Sequence, residues 1–230
     1  MSVERNLIIV ILELTKSRPV SHELINKTAR LPSEVARKLL RKLQNDGLLY
    51  LRKNIVETDS ALRLKLAVKA ISLGADLEHV SSFLQWQEFE DMAAIALQQN
   101  RYAVEKNLRF KYAGKRWEID VIGCKRPIVV CIDCKHWHHG MYRSKLKKVV
   151  EEQVERTSAL AESLTEFYGK IECASWGNVR LVPAVLSLVF GRFKFYDNVP
   201  VVPVLQLQDF LSQLPVYADS LKHFSKRLAN

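Results

Sequence analysis

Three side chains in the middle of this 230-residue chain have the types and spacing to do chemistry: Asp120, Asp133 and Lys135. The last two end the run Ile128-Val129-Val130-Cys131-Ile132-Asp133-Cys134-Lys135, which is β-branched and apolar until it meets an acid and a lysine two positions apart. Such an unalternating run is that of a strand packed on both faces, where a charge needs a reason to be present. Strand side chains repeat every two residues, so Asp133 and Lys135 project from one face, about 6–7 Å apart along the strand. Upstream, Trp117-Glu118-Ile119-Asp120-Val121-Ile122-Gly123 reads as a second strand with its own acid, and the short Cys124-Lys125-Arg126-Pro127 joins the two into a hairpin. A register that sets Asp120 opposite Cys131 or opposite Asp133 puts both aspartates on the face of Lys135. A shift of one residue separates them. Two carboxylates and a lysine on one sheet face make a hard-oxygen site for Mg²⁺ or Mn²⁺, beside a positive group that can orient a water or steady a phosphate.

Strands must be positioned by helices, and the elements around this hairpin follow a known order. Asp120 followed by Asp133-x-Lys135 resembles the PD-(D/E)xK restriction-endonuclease-like nucleases, and is most similar to their Mrr-type and archaeal Holliday-junction-resolvase-like branch. The resemblance covers roughly residues 85 to 210 and includes an acid on the preceding helix, Phe89-Glu90-x-x-Ala93-x-x-x-Leu97, with Tyr102 where the first strand begins. It departs from the family at Ile119, which stands where the motif has proline, a residue the metal chemistry does not require. The resemblance implies a restriction-endonuclease-like α/β/α sandwich with a mixed central sheet. It also implies that Asp120 and Asp133 hold the metal, that Lys135 acts on the water or the phosphate, and that Glu90 is a further ligand or positions one. Glu88 and Asp91 compete with Glu90 for that role, and Gln153 falls roughly where several branches of the family carry a supporting polar residue.

The formal charge of +10 favours a polyanionic partner. Residues 1–75 carry 14 Lys and Arg against 7 Asp and Glu, and residues 76–230 carry 21 against 18, so the electrostatic handle is the amino-terminal third. That third reads as three helices and a hairpin. Val3 to Thr15 has a helical pattern. A short helix follows the cap Ser21, and a third opens at Leu31-Pro32-Ser33-Glu34 with Ser33 as its cap. Val35, Leu39, Leu40 and Leu43 form an inward stripe on the third helix, leaving Arg37, Lys38, Arg41 and Lys42 outside. Leu48 to Leu51 and Ile55 to Glu57 then flank the basic tip Arg52-Lys53-Asn54. This order resembles the winged helix-turn-helix family, whose third helix enters the major groove of DNA while the wing lies along the backbone. Winged helices also serve as protein-contact caps, but the exposed face of this third helix carries four cations.

A further amphipathic helix, Ser60 to Leu73, closes at Gly74, so the expected domains are 1–75 and 76–230. After a helical stretch from Leu77 to Asn100, the strands Tyr102–Lys111, Arg116–Gly123 and Ile128–Lys135 form a meander expected at the centre of the sheet. A long helix from Tyr142 to Tyr168, strands at Val182–Phe190 and Val201–Leu205, and a short helix at Gln208–Leu214 complete the sandwich. The loop His136-Trp137-His138-His139-Gly140 should lie over the metal site, its histidines reading as phosphate or surface contacts. Cys131-x-x-Cys134 reads as two buried thiols rather than a zinc knuckle, since residues three apart on a strand face opposite ways.

No nucleotide-binding glycine loop occurs. The longest amino-terminal apolar run, Leu7 to Leu12, is too short for a membrane span, and the protein is expected to stay in the cytosol. The sequence thus points to a metal-dependent endodeoxyribonuclease acting on double-stranded or branched DNA, as a homodimer if it breaks both strands. A second amino-terminal domain favours an Mrr-like enzyme over the single-domain resolvases. The rival is a non-catalytic DNA-binding regulator with a degenerate nuclease fold, against which stand the three charges kept on buried strands.

Overall fold

The computed structural model describes residues 3–135, 143–188 and 194–228, with backbone alone at 77 and 78. The loop 136–140 and its three histidines lie outside the described residues. The chain forms two compact units that divide between Glu88 and Phe89, further along than Gly74–Asp76.

The first unit holds α1 (Val3–Leu14), β1 (Val20–Ser21), α2 (His22–Ala29), α3 (Ser33–Asn45), β2 (Tyr50–Arg52), β3 (Ile55–Glu57), α4 (Ser60–Ser72) and α5 (Leu77–Ser81). Ser21 caps α2 by accepting from the Leu24 N–H, and Asp59 caps α4 by accepting from the Leu62 N–H. Ser33 is the first residue of α3 rather than its cap; Pro32 precedes it and gives no side-chain cap. The buried stripe of α3 is Ala36, Leu40 and Leu43, not the expected set. Val35 is exposed, because a stripe at 36, 40 and 43 leaves positions 35 and 39 on its flank. β1 pairs with β3, so the hairpin becomes a three-stranded antiparallel sheet; two residues are too few to show a period in sequence. Arg63, 3% exposed, gathers this unit's interior. It pairs through Nε with Glu88 Oε1 at 2.5 Å and donates to the Leu12 and Phe83 carbonyls and the Thr15 hydroxyl. A buried guanidinium is tolerable only with its donors engaged in this way.

The helix α6 (Trp86–Gln99) leads into the second unit, which contains β4 (Ala103–Tyr112), β5 (Lys115–Lys125), β6 (Ile128–Cys134), α7 (Arg143–Ser163), β7 (Asn178–Ser187), β8 (Phe195–Tyr196), β9 (Val199–Pro203), α8 (Leu207–Tyr217) and β10 (Phe224–Arg227). The sheet runs β4-β5-β6-β7-β9-β8, with β10 also paired to β7. The meander β4-β5-β6 is antiparallel, while β6, β7 and β9 are parallel. The meander is therefore one half of the sheet with β4 at its edge, and β6 and β7 occupy the centre that was expected of the meander.

Helices cover both faces, which explains the unbroken apolar run of β6. Gly123 lies against Leu97 of α6, so closely that a Cβ would collide with the leucine side chain. Cys124 points the other way and shares a core with Cys131 and with Leu160 and Leu164 beyond it. The result is a three-layer α/β/α arrangement with α6 and α7 on opposite sides. Among the described residues no helix is long and apolar enough to cross a membrane.

Candidate active site

The hairpin of β5 and β6 pairs Val121 with Ile132 and Ile122 with Cys131, a register that continues to set Asp120 opposite Asp133. This is one of the two registers expected from sequence, and it places both acids at the carboxyl end of β6, where the parallel neighbour β7 also ends. The main-chain N–H of Cys134 donates to Asp120 Oδ2 at 2.7 Å. Asp133 is 2% exposed, and its Oδ1 receives Lys135 Nζ at 3.0 Å and Arg156 Nη1 at 2.6 Å. A cleft of about 450 Å³ opens over these groups, with Lys115–Glu118 on one side and Glu152, Glu155 and Arg156 of α7 on the other.

Burial pushes the Asp120 carboxyl up to about 6, reinforced by the charge of Asp133 and opposed by the Cys134 N–H, Lys135 and Arg156. A cation beside the Asp120 carboxyl would relieve this rise by favouring its charged form. Burial likewise raises Glu90, against the hydrogen bond from Asn107. Burial and the neighbouring acids push the Cys134 thiol up, so it stands here as a neutral thiol rather than a thiolate ligand. Cys131 is fully buried and its thiol is pushed up as well.

The three acids that compete on α6 have separate fates. Glu88 is the partner of Arg63 in the first unit, and Asp91 pairs with Lys106 at 2.7 Å. Glu90 is 1% exposed, accepts from the Asn107 side chain at 3.3 Å and feels the charge of Asp120. Among the described residues no three His, Cys, Asp or Glu side chains come together as a group that could hold an ion. The acids that converge are Asp120 and Asp133, with Glu90 nearby.

Among the described residues three buried oxygens lack a hydrogen-bond partner: Asp133 Oδ2, Gln153 Oε1 of α7 and Asn107 Oδ1 of β4. An orphaned buried oxygen costs about 1–3 kcal/mol unless something supplies positive charge or a proton. Asp120 and Asp133 offer oxygen donors alone, anionic and with Asp133 Oδ2 unused among the described residues, a donor chemistry that fits a hard divalent cation such as Mg²⁺ or Mn²⁺. Gln153, which is fully buried, also donates from Nε2 to the Cys131 carbonyl at 2.8 Å, tying α7 to the strand of Asp133.

Arg156 and Asn107 were not singled out from the sequence. Arg156 lies one helical turn beyond Gln153 and so on the same face of α7, a spacing that would have found it. Asn107 has φ 54, a left-handed residue within β4, and no sequence pattern marks it except that asparagine tolerates this conformation.

In the first unit Arg37, Lys38 and Arg41 are exposed on α3, and Arg52 and Lys53 at the tip of the β2–β3 hairpin. Two charges on these elements are already partly answered: Lys42 Nζ bridges to Glu4 Oε2 of α1 at 2.7 Å, and Arg52 Nε lies 3.7 Å from Glu57 Oε2.

Residues 85–186 match the family model described as NERD, nuclease-related domain. This segment is similar to that family, and its fold is a mixed α/β sandwich preceded by helices. An uncharacterized protein of Archaeoglobus fulgidus is 29% identical over 135 residues, covering 58% of this chain and 95% of that one. Among solved structures, restriction endonuclease FokI aligns with 93% of this chain and 44% of its own at a TM-score of 0.41 and 12% identity. Protein VC1899 from Vibrio cholerae aligns with 94% of this chain and 52% of its own, at 0.38 and 15%. The chain spans about half the length of the solved structures it matches.

Proposed function

We propose that the protein is an endodeoxyribonuclease that hydrolyses phosphodiester bonds with a divalent metal ion, Mrr-like in combining this domain with an amino-terminal winged helix that binds DNA. The observation that supports it most is the convergence of Asp120 and Asp133 across the β5–β6 register, with an orphaned carboxylate oxygen and a lysine 3.0 Å from its partner oxygen. Asp120 and Asp133 would hold Mg²⁺ or Mn²⁺, with Glu90 as a further ligand or as the acid that holds Asn107 toward the site. The ion, when bound, polarises the scissile phosphate and lowers the pKa of a water. Lys135 sets a compact positive charge beside the place where the attacking water or the negative charge developing on the phosphoryl oxygens would lie. Arg156 and Lys135 together fix the Asp133 carboxylate.

The exposed Arg37, Lys38 and Arg41, with Arg52 and Lys53 of the wing and a lesser share from Lys42, support reading the first unit as the DNA handle. An enzyme with one such site cuts one strand, so cutting both calls for a homodimer.

The test incubates the whole chain with labelled duplex, four-way junction and single-stranded DNA in Mg²⁺, Mn²⁺, Ca²⁺ or EDTA. Cleavage in Mg²⁺ and Mn²⁺, with Ca²⁺ allowing binding but little cutting, is expected. Cleavage persisting in excess EDTA, or none with any substrate, overturns the proposal.

A further inference from the structure

The β4–β5 hairpin rises beside the acids as an arm turned at Ala113 and Gly114, both with positive φ. From Arg109 to Glu118 it carries four cations against one acid. Two of the cations are answered. Arg109 pairs with Glu118 at 3.1 Å, and Lys115 stands 3.5 Å from Glu155 and 3.8 Å from the centre of the Trp117 ring.

The other two, Lys111 and Arg116, are direct partners in the antiparallel register and therefore face one another across the two strands. Like charges so placed repel and destabilise the pair. Among the described residues neither has an acidic partner, and the one acid of the arm is already committed to Arg109. Arg116 also lines the cleft that holds Asp120, Asp133 and Lys135. It precedes Asp120 by four positions, about 13 Å along an extended strand.

We infer that Lys111 and Arg116 form an anion site that grips the sugar-phosphate backbone of a nucleic-acid strand entering the cleft, a contact distinct from the α3 and wing handle. The occupant is a polyphosphate backbone because the site offers two exposed, paired cations without an acidic partner among the described residues, and a direct path along β5 to the acids. A backbone phosphate between the two side chains turns their mutual repulsion into attraction, and phosphate contacts of this type set register rather than read bases. The inference deepens the nuclease reading and rests on it for the identity of the strand.

The test compares the whole chain with Lys111→Gln/Arg116→Gln, and with Lys16→Gln/Arg18→Gln as a control of equal charge loss on exposed residues of the first unit. Binding of a short duplex DNA is titrated against salt in Ca²⁺, cleavage is followed in Mg²⁺, and melting is recorded for all three. The hairpin variant should lose about one to two units from the slope of log affinity against log salt. Its KM should rise severalfold with kcat within about threefold of wild type, and it should melt no lower because a repulsion is gone.

A slope equal to wild type, or an equal loss in the control, overturns the site whether or not the protein cleaves. A reduced slope in a protein that cleaves nothing leaves the anion site standing and removes the nuclease reading instead.

Discussion

Arg156 donates to Asp133 Oδ1 at 2.6 Å, the oxygen that Lys135 also approaches, so two cations hold one end of the carboxylate while Oδ2 has no hydrogen-bond partner among the described residues. A carboxylate gripped at one oxygen presents the other in a fixed direction, which is how a neighbouring group preorganises a ligand. Arg156→Gln should free this rotation and also remove a positive charge that competes with a bound cation. We expect kcat to fall by roughly tenfold to a hundredfold, while the Mg²⁺ concentration for half-maximal rate falls rather than rises. Single-turnover cleavage across a Mg²⁺ titration measures both, and an unchanged rate would show that Arg156 has no hold on the reaction.

Lys135 touches the same oxygen but stands 30% exposed at the cleft, where its charge can reach a substrate. Lys135→Ala should bind duplex DNA within about threefold of wild type and lose on the order of 10² to 10³ in kcat, the size of effect seen when a transition-state donor is removed. Lys135→Arg should recover little, since a planar guanidinium cannot replace a compact ammonium in the same space. Near-normal cleavage by either variant would shift the chemistry elsewhere.

Burial and Asp133 lift Asp120 to about 6 in the metal-free chain, above the ordinary carboxylate value. Between those values the folded protein binds more protons than the unfolded one, so unfolding free energy falls as pH rises through that window. In EDTA, the melting temperature should therefore drop from pH 4 to pH 7, and Asp120→Asn should flatten that drop. Glu90, also raised by burial, leaves a residual slope of the same sign. Adding Mg²⁺ at pH 7 should raise the wild-type melting temperature and leave that of Asp120→Asn nearly unmoved. Parallel melting curves for the two proteins in EDTA would contradict the shift.

Gly123 is where α6 meets the sheet. An added Cβ would collide with Leu97 Cδ2 and lie 3.1 Å from Cδ1, so the helix or the leucine must yield. Gly123→Ala should cost about 1–3 kcal/mol by overpacking, read as a lower denaturation midpoint. Combining it with Leu97→Ala should recover part of that loss, because the two changes share one space. A double variant whose loss equals the sum of the single losses would mean the two sites do not touch.

The acids and Lys135 were legible because strand alternation and a short connection are local properties, and β6 and β5 keep them. The third acid was less so: Glu88, Glu90 and Asp91 look alike in sequence, and only their partners Arg63, Asn107 and Lys106 separate them. Arg156 reaches Asp133 through the docking of α7, a long-range event that helical periodicity narrows to a face but not to a contact. β1 and β8 span two residues each and β10 four, too short to show a period, and they form because neighbours offer unpaired backbone. The cation count on α3 was read correctly, but the bridge from Lys42 to Glu4 depends on how α1 packs, which that count does not contain.

The strand that carries Asp133 and ends just before Lys135 is zipped on one side by its hairpin neighbour and on the other by β7, a parallel partner about fifty residues further along the chain. Hairpins close in microseconds, whereas parallel pairings across a long crossover must first overcome the entropy of closing that loop. During synthesis the two acids can meet early, but the burial of Asp133 against α7 and β7 waits until the chain beyond Asn178 has emerged. A nascent or truncated chain would thus carry the acids without their dry, cation-lined setting, and under the proposed nuclease function cutting ability would arise only with the completed fold.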